Sequence, residues 1–248
     1  GGAHRLIGYL DLAVKVLQPR HELEIAVAVR GGKSARLVAR AYAAAGVTLD
    51  DATFRDAYVF GERRLAAGRL VLPGDNFRRL MYIKALAEID RLVQLDALAP
   101  DNDADRLASS VADYCYEHAR RCIDSAREAL VSLTSAFPSV LVSNFYGNID
   151  TVLCDFGLRA LFCGIIESAV VGVRKPDPRI FMLGAVALGL QPDEVMVIGD
   201  SLTKDILPAE SAGFRTAWIK GPGWSADEDK ASHRSETASL EALAKAIF

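Results

Sequence analysis

Apolar positions follow a strand-and-helix rhythm in the last 110 residues of the 248-residue chain. Short apolar runs predict strands over 140–142, 161–166, 195–198 and 216–219. Helical patterns between and after them cover 147–156, 178–188 and 205–212. Such strict alternation predicts an α/β fold with a doubly wound, Rossmann-like parallel sheet.

The stretch before residue 137 has a different pattern. An apolar, partly β-branched run at 25–29 is closed by Gly31 and Gly32, which suits a buried parallel strand followed by a tight loop. A helical pattern then continues to Gly46. Beyond it lie consecutive helical patterns without strands, over 53–68, 77–98 and 103–133.

This arrangement predicts two units. Consecutive amphipathic helices without strands are typical of a helical subdomain inserted into a larger fold. We therefore predict an all-helical cap over 47–130, inserted into a Rossmann-like core formed by 1–46 and 131–248.

Composition restricts the partners. The net charge is -3 and the sequence pI is about 5.9, with acidic and basic residues interleaved. A nucleic-acid partner is not expected. No apolar run approaches the ~20 residues that cross a bilayer, and the N-terminal stretch does not read as a signal peptide, so we expect a cytoplasmic protein without membrane contact. A protein partner or a homodimer stays open.

Polar residues follow the predicted strands at the point where each one ends. Ser143 and Asn144 follow the first strand of the second half, and Asp200 follows the strand at 195–198. Ligands of open α/β sheets bind at the carboxyl ends of the strands. Ser143 and Asn144 can hold a phosphoryl oxygen through a hydroxyl and backbone N–H groups, or they can simply cap a helix.

A lysine and two aspartates complete this set. Lys175 precedes Pro-Asp-Pro in VVGVRKPDPRIF, where the stiff loop can aim its charge at a phosphoryl group. Asp200 and Asp205 in EVMVIGDSLTKD offer oxygen ligands for Mg²⁺. Each also has an ordinary structural interpretation, as a solvated lysine and as residues that favour a helix start.

The three segments VLVSNFYGN, KPDPRIF and GDSLTKD, in this order and spacing, resemble motifs two, three and four of the haloacid dehalogenase superfamily. The resemblance covers about 80 residues and extends through GFRTAWI at 213–219. It implies that Ser143 binds the phosphoryl group, that Lys175 stabilises its charge, and that Asp200 holds Mg²⁺ with the support of Asp205. It also implies that the helical block is the small cap of that family.

The first motif of the family is the part that this chain does not match. There, the first strand ends in an Asp that attacks phosphorus, followed by glycine and threonine. Here the Asp position falls on Val29 or Arg30, depending on how Gly31 and Gly32 are aligned. Valine is not a nucleophile, and arginine would repel Mg²⁺. Asp11 is the other aspartate that follows an apolar run ahead of the cap, but it lacks the glycine and threonine.

Two functions are compatible with these observations. The first is a Mg²⁺-dependent, phosphatase-type hydrolase of a small phosphorylated metabolite, with Asn144 and Tyr146 near its substrate. A dehalogenase fits less well, because the paired aspartates favour metal-dependent phosphoryl chemistry. The second is a pseudoenzyme that binds a phosphorylated ligand or a protein partner through the same site. Three explanations account for the missing nucleophile. Asp11 takes that role, catalysis has been lost, or the given chain lacks the segment that carries motif one.

Overall fold

The computed structural model describes residues 24–28, 32–67, 70–100, 103–221 and 230–247. Asp11, Val29 and Arg30 lie outside the described residues, so the structure tests neither alternative for the nucleophile. In the part of the chain that it describes, no helix is both long and apolar enough to cross a membrane.

A parallel sheet forms the centre of the fold. Its strands are β1 (Glu24–Ala28), β2 (Val140–Ser143), β3 (Gly164–Glu167), β4 (Val195–Gly199), β5 (Arg215–Ile219) and β6 (Glu236–Thr237). Hydrogen bonds join β1, β4, β5 and β6 in that order, and β2 to β3, all in parallel register. β2 lies beside β1, so the strand order is 3-2-1-4-5-6. The predicted doubly wound fold is confirmed.

Helices cover both faces of this sheet. They are α1 (Gly32–Ala44), α2 (Asp51–Ala67), α3 (Phe77–Gln94), α4 (Ala104–Ala136), α5 (Ile149–Asp155), α6 (Ser168–Val171), α7 (Arg179–Leu188), α8 (Leu207–Ser211) and α9 (Leu240–Ile247). Along β2, Val140 and Val142 pack against α7, while Leu141 faces the larger core that includes α1, α4 and α5. This alternation follows from the period of two in a strand. It explains why β2 is apolar up to its last residue, since both of its faces are buried.

The long helices begin where side chains cap them. Asp50, Asn76 and Asp103 accept hydrogen bonds from the backbone N–H groups at the starts of α2, α3 and α4. We call α2, α3 and α4 the cap helices, because they pack on one another as the predicted cap requires. The domain limits stay a prediction. α4 continues to Ala136, so the limit predicted at residue 130 falls inside this helix.

The structure differs from the sequence predictions in three places. The strand predicted over 161–166 begins only at Gly164, because Arg159–Leu161 form a 3-10 turn in which Leu161 packs on the core. The helix predicted from Asp205 is preceded by a π-helical turn, Leu202–Ile206. The structure also adds the short edge strand β6, which the sequence patterns above do not predict.

A cluster of charged side chains is buried among the cap helices. Lys84 of α3 is 4% exposed and pairs with Glu62 of α2, while its distance to Glu88 is 3.6 Å. Glu88 is 1% exposed and accepts a 3.0 Å hydrogen bond from the hydroxyl of Tyr42. Burial raises the pKa of Glu88 to about 7, although Lys84 and the hydroxyl of Tyr42 act in the opposite direction. The cluster therefore changes its charge near neutral pH.

Glu88 should make the stability of the protein depend on pH. Its pKa is higher in the folded state than the ordinary value of 4.5, so the folded state binds the proton more tightly. The contribution of Glu88 to the free energy of unfolding should be highest below pH 4.5 and fall as the pH rises to about 7, by up to about 3 kcal/mol at 1.36 kcal/mol per pKa unit. Urea unfolding across this range measures the slope.

The variant Glu88→Gln should flatten that slope and stabilise the protein at pH 8, because Gln keeps an acceptor for Tyr42 without a buried charge. Glu117→Gln is the matched control, since Glu117 pairs with Arg120 on the exposed side of α4. An unchanged slope in Glu88→Gln would show that Glu88 does not titrate in this range.

Candidate active site

Ser143 is the last residue of β2 and is fully buried. Within the described residues, its hydroxyl oxygen has no hydrogen-bond partner. Leaving a buried hydroxyl unsatisfied costs about 1–3 kcal/mol, so such groups in proteins normally serve a ligand or a bound water. The position at the carboxyl end of a central parallel strand is where ligands bind in this class of fold.

Asn144 ties the loop after β2 to the loop that carries Lys175. Its side-chain amide donates to the backbone carbonyl of Lys175 at 3.0 Å, and its Oδ1 accepts from the backbone N–H of Lys175 at 2.8 Å. Both polar ends of the side chain are therefore engaged by one residue. Asn144 fixes the backbone position of Lys175.

The ammonium group of Lys175 meets Asp205. Lys175 Nζ lies 3.1 Å from Asp205 Oδ1, and the two side chains are 1% and 2% exposed. The second carboxylate oxygen, Oδ2, accepts a 2.9 Å hydrogen bond from the backbone N–H of Ser201. A buried ion pair is tolerated only when its remaining polar atoms are also satisfied, and Ser201 meets part of this need. Asp205 therefore orients Lys175.

Gly199 makes room for this pair. A Cβ atom added to Gly199 would lie 2.4 Å from the Cβ of Asp205 and 2.9 Å from its Cγ. Real Cβ atoms do not approach so closely, so the last residue of β4 must be glycine if Asp205 is to return to the strand end. The Gly-Asp order of residues 199 and 200 is thus a packing requirement as well as a motif.

Asp200 follows β4 at the same edge of the sheet. Its backbone carbonyl accepts a 3.0 Å hydrogen bond from Nε1 of Trp218 on β5, and its Oδ1 is buried. The carboxylate is the kind of hard oxygen donor that Mg²⁺ prefers. Both oxygens of Asp205 are engaged, one by Lys175 and the other by the backbone of Ser201.

The carboxylates of Asp200 and Asp205 are oxygen donors of the kind that Mg²⁺ prefers, so they fit the predicted metal in kind. Within the described ranges, no group of three acidic, histidine or cysteine side chains forms a metal site. β1 ends at Ala28, level with Gly199 in the parallel register. The family places its nucleophile directly after this first strand. In this chain, that position therefore follows the end of β1, next to the strand end that carries Asp200, and it lies outside the described residues.

Glu167, at the end of β3, holds the loop after Ser143 in place. Its carboxylate accepts from the backbone N–H of Gly147 at 2.6 Å and of Ile149 at 3.4 Å. Burial raises its pKa, although these N–H groups act in the opposite direction. Ser168 adds a bond from the backbone N–H of Phe145 at 3.2 Å. The loop is thereby fixed from the β3 side.

The same loop contacts the cap helices on its other side. The Tyr146 hydroxyl donates to Glu62 Oε2 at 2.8 Å, and the Asn148 side chain donates to the backbone carbonyl of Asp75 at 2.8 Å. Residues 144–148 thus connect the edge of the sheet with the helices above it.

The structure brings together Ser143, Asn144, Lys175 and Asp205, through the contacts of Asn144 and of the ion pair. Asp200 lies at the end of β4, beside Ser201. The catalytic, substrate-binding and metal-binding roles given to them, and the substrate contact given to Tyr146, stay predictions. Sequence reasoning missed Glu167 and Trp218. Glu167 follows its predicted strand directly, so the rule that pointed to Ser143 and Asp200 could also have pointed to it.

A parallel sheet covered by helices, with polar residues grouped at its carboxyl edge, places the protein in the class of Rossmann-like α/β proteins that bind ligands at that edge. Residues 15–213 match the family model "haloacid dehalogenase-like hydrolase". This match covers most of the chain, so the chain belongs to the haloacid dehalogenase-like hydrolase family, and the resemblance seen in the sequence is confirmed.

Several known proteins are similar to parts of this chain. Phosphoserine phosphatase of Thermus thermophilus is 33% identical over 107 residues, which are 42% of this chain and 40% of that protein. Glyceraldehyde 3-phosphate phosphatase of Methanopyrus kandleri is 40% identical over 68 residues, or 27% and 29% of the two chains. The matches thus span less than half the length of either relative.

The HAD-hydrolase YfnB of Bacillus subtilis, in a magnesium-bound crystal form, is similar in structure. The TM-score is 0.52 at 20% identity, and the alignment covers 86% of this chain and 91% of YfnB. At this identity the similarity concerns the fold alone.

The substitution Gly199→Ala should disturb the ion pair by displacing Asp205. We expect a loss of about 1–3 kcal/mol in the free energy of unfolding, as for overpacking in a dense core. Thermal unfolding measures it. Gly74→Ala is the matched control, because nothing lies within 4 Å of its added Cβ. Equal stability of the two variants would contradict the close approach of Asp205 to the strand end.

Proposed function

We propose that this chain is a Mg²⁺-dependent phosphatase that acts on a small phosphorylated metabolite. The buried hydroxyl of Ser143, without a partner among the described residues and close to the anchored Lys175 loop, carries the proposal. A hydroxyl donor and an ammonium group together suit a phosphoryl group better than a neutral ligand. The two relatives described above are both named as phosphatases, which supports the same reaction class.

Each residue has a defined task in this proposal. Ser143 donates a hydrogen bond to a phosphoryl oxygen, and Lys175 offsets the charge that spreads over the phosphoryl group during transfer. Asp205 orients the ammonium group of Lys175, while Asn144 holds its backbone. Such groups are effective because they are fixed before the substrate arrives, so little reorganisation is needed during the reaction.

In this proposal, Asp200 would bind Mg²⁺ and Asp205 would support it. When bound, the metal supplies positive charge to the phosphoryl oxygens and orients the substrate. The family places the nucleophilic aspartate directly after β1, and in this chain that position reads Val29-Arg30. The match to the family model begins at residue 15, after Asp11. Asp11 therefore lies outside the residues that match the family model.

The sequence Val29-Arg30 favours a second candidate, a protein that binds a phosphorylated ligand or a protein partner without turnover. The arrangement of Ser143, Lys175 and Asp200 is as suitable for binding phosphate as for transferring it. The two candidates differ in one observable property, which is the release of phosphate.

The phosphatase proposal predicts hydrolysis of p-nitrophenyl phosphate in the presence of Mg²⁺, and loss of this activity after chelation. Asp200→Asn should lower the rate by roughly a hundredfold or more, because the metal loses a ligand at the reacting group. Asp193→Asn should leave the rate unchanged. Asp193 is exposed and precedes the same strand, β4, at its opposite end.

Calorimetric titration of the same three proteins with Mg²⁺ gives a readout besides activity. The native chain and Asp193→Asn should bind the metal, and Asp200→Asn should bind it much more weakly. Metal binding without phosphate release by the native chain would favour the binding protein over the phosphatase. Equal Mg²⁺ affinity in all three proteins would remove Asp200 from the metal site.

A further inference from the structure

A single side-chain bond connects Tyr146, three residues after Ser143, with the cap helix α2. The hydroxyl of Tyr146 donates to Glu62 Oε2 at 2.8 Å. The other oxygen of Glu62 pairs with the ammonium group of Lys84, which also lies 3.6 Å from the centre of the Tyr58 ring. Glu62 is therefore held both from within the cap helices and from the core.

A second attachment between the cap helices and the core is of a different kind. Phe156, directly after α5, packs against the rings of Phe77 and Tyr116, with centroid separations of 5.8 Å and 5.4 Å. Nearby, the Thr151 hydroxyl donates to the backbone carbonyl of Pro73 at 2.6 Å. The attachment at Phe156 combines apolar packing with a hydrogen bond to the backbone. The attachment at Tyr146 is a hydrogen bond between two side chains.

The two attachments also differ in how exposed their residues are. Phe156 and Phe77 are buried, at 5% and 2% exposed. The side chain of Glu62 is 40% exposed, so water can replace the hydroxyl of Tyr146 as its partner. A bond that water can replace breaks and forms again at low cost, while aromatic packing is lost only by exposing apolar surface.

We propose that Tyr146 is a positioning residue whose hydroxyl holds the α2 side of the cap helices on the loop that follows Ser143. The packing around Phe156 then acts as the hinge, and the Tyr146–Glu62 bond acts as the latch. Lys84 keeps the carboxylate of Glu62 directed at Tyr146. The inference concerns the attachment of the cap helices and does not depend on whether the chain hydrolyses phosphate esters.

The charges of the partners suit this role. Burial raises the pKa of Glu62, but the attraction of Lys84 and hydrogen bonds from Lys84, Tyr146 and Tyr58 together lower it below its usual value. Burial and the charge of Glu62 hold the pKa of Tyr146 well above its usual value. Near neutral pH, Tyr146 therefore remains a donor and Glu62 a charged acceptor, which is the stronger type of hydrogen bond.

Chemical labelling of Lys84 tests the latch. Its ammonium group is 4% exposed behind Glu62, so acetic anhydride should modify it only when the α2 side opens. The full chain is labelled at one fixed pH, and mass spectrometry gives the modification of Lys84 relative to exposed Lys245. Tyr146→Phe, which keeps the ring, should raise this ratio by about tenfold, as expected for the loss of a hydrogen bond to a charged group.

Tyr82→Phe is the matched control. The hydroxyl of Tyr82 also bonds to a carboxylate, that of Asp105, but both residues belong to cap helices. This variant should leave the Lys84 ratio as in the native chain. An equal increase in both variants, or no increase in Tyr146→Phe, would overturn the proposal.

A double variant tests the coupling of the two partners. Glu62→Gln removes the charge that receives the Tyr146 hydroxyl, and it also raises the labelling ratio through the loss of the Lys84 pair. If the two residues act through one bond, adding Tyr146→Phe to Glu62→Gln should increase labelling by much less than tenfold. A full tenfold further increase would show that Tyr146 acts independently of Glu62, which contradicts the latch.

Discussion

The buried ion pair between Lys175 and Asp205 is the constraint on which the rest of the site depends. Both side chains are almost completely shielded from water, so each charge relies on its partner and on nearby dipoles. The pair brings the loop after β3 and the turn after β4 to the same place. The pair also accounts for three neighbouring features. Gly199 leaves space for Asp205, the backbone N–H of Ser201 donates to Asp205, and the side chain of Asn144 bonds to the backbone of Lys175.

The loop of residues 144–148 extends this fixed centre towards the cap helices. Glu167 and Ser168 hold the loop from below, while Tyr146 and Asn148 connect it with Glu62 and Asp75 above. Any change in the position of the helices therefore acts on a segment whose other end is Ser143. In this architecture, the position of the cap helices and the position of the Ser143 hydroxyl are mechanically linked.

The sequence predicted the sheet and the residues at its edge because both follow from local patterns. An apolar run buried on both faces, followed by a polar residue, was sufficient to find Ser143 and Asp200. The buried cluster of Glu62, Lys84 and Glu88 could not be found in this way. Charges spaced four apart on a helix, such as Lys84 and Glu88, are typical of a solvated surface, and only tertiary packing places them inside.

The ion pair also changes how the retained motif residues bear on catalysis. Removing one partner of a buried pair leaves an uncompensated charge and costs about 3–5 kcal/mol, so Lys175 and Asp205 would be kept for stability alone. Their presence therefore says little about turnover. Ser143 is different, because a buried hydroxyl without a partner among the described residues reduces stability unless a ligand binds it. Ser143 is consequently stronger evidence for a functional phosphate site than the charged residues Lys175 and Asp205.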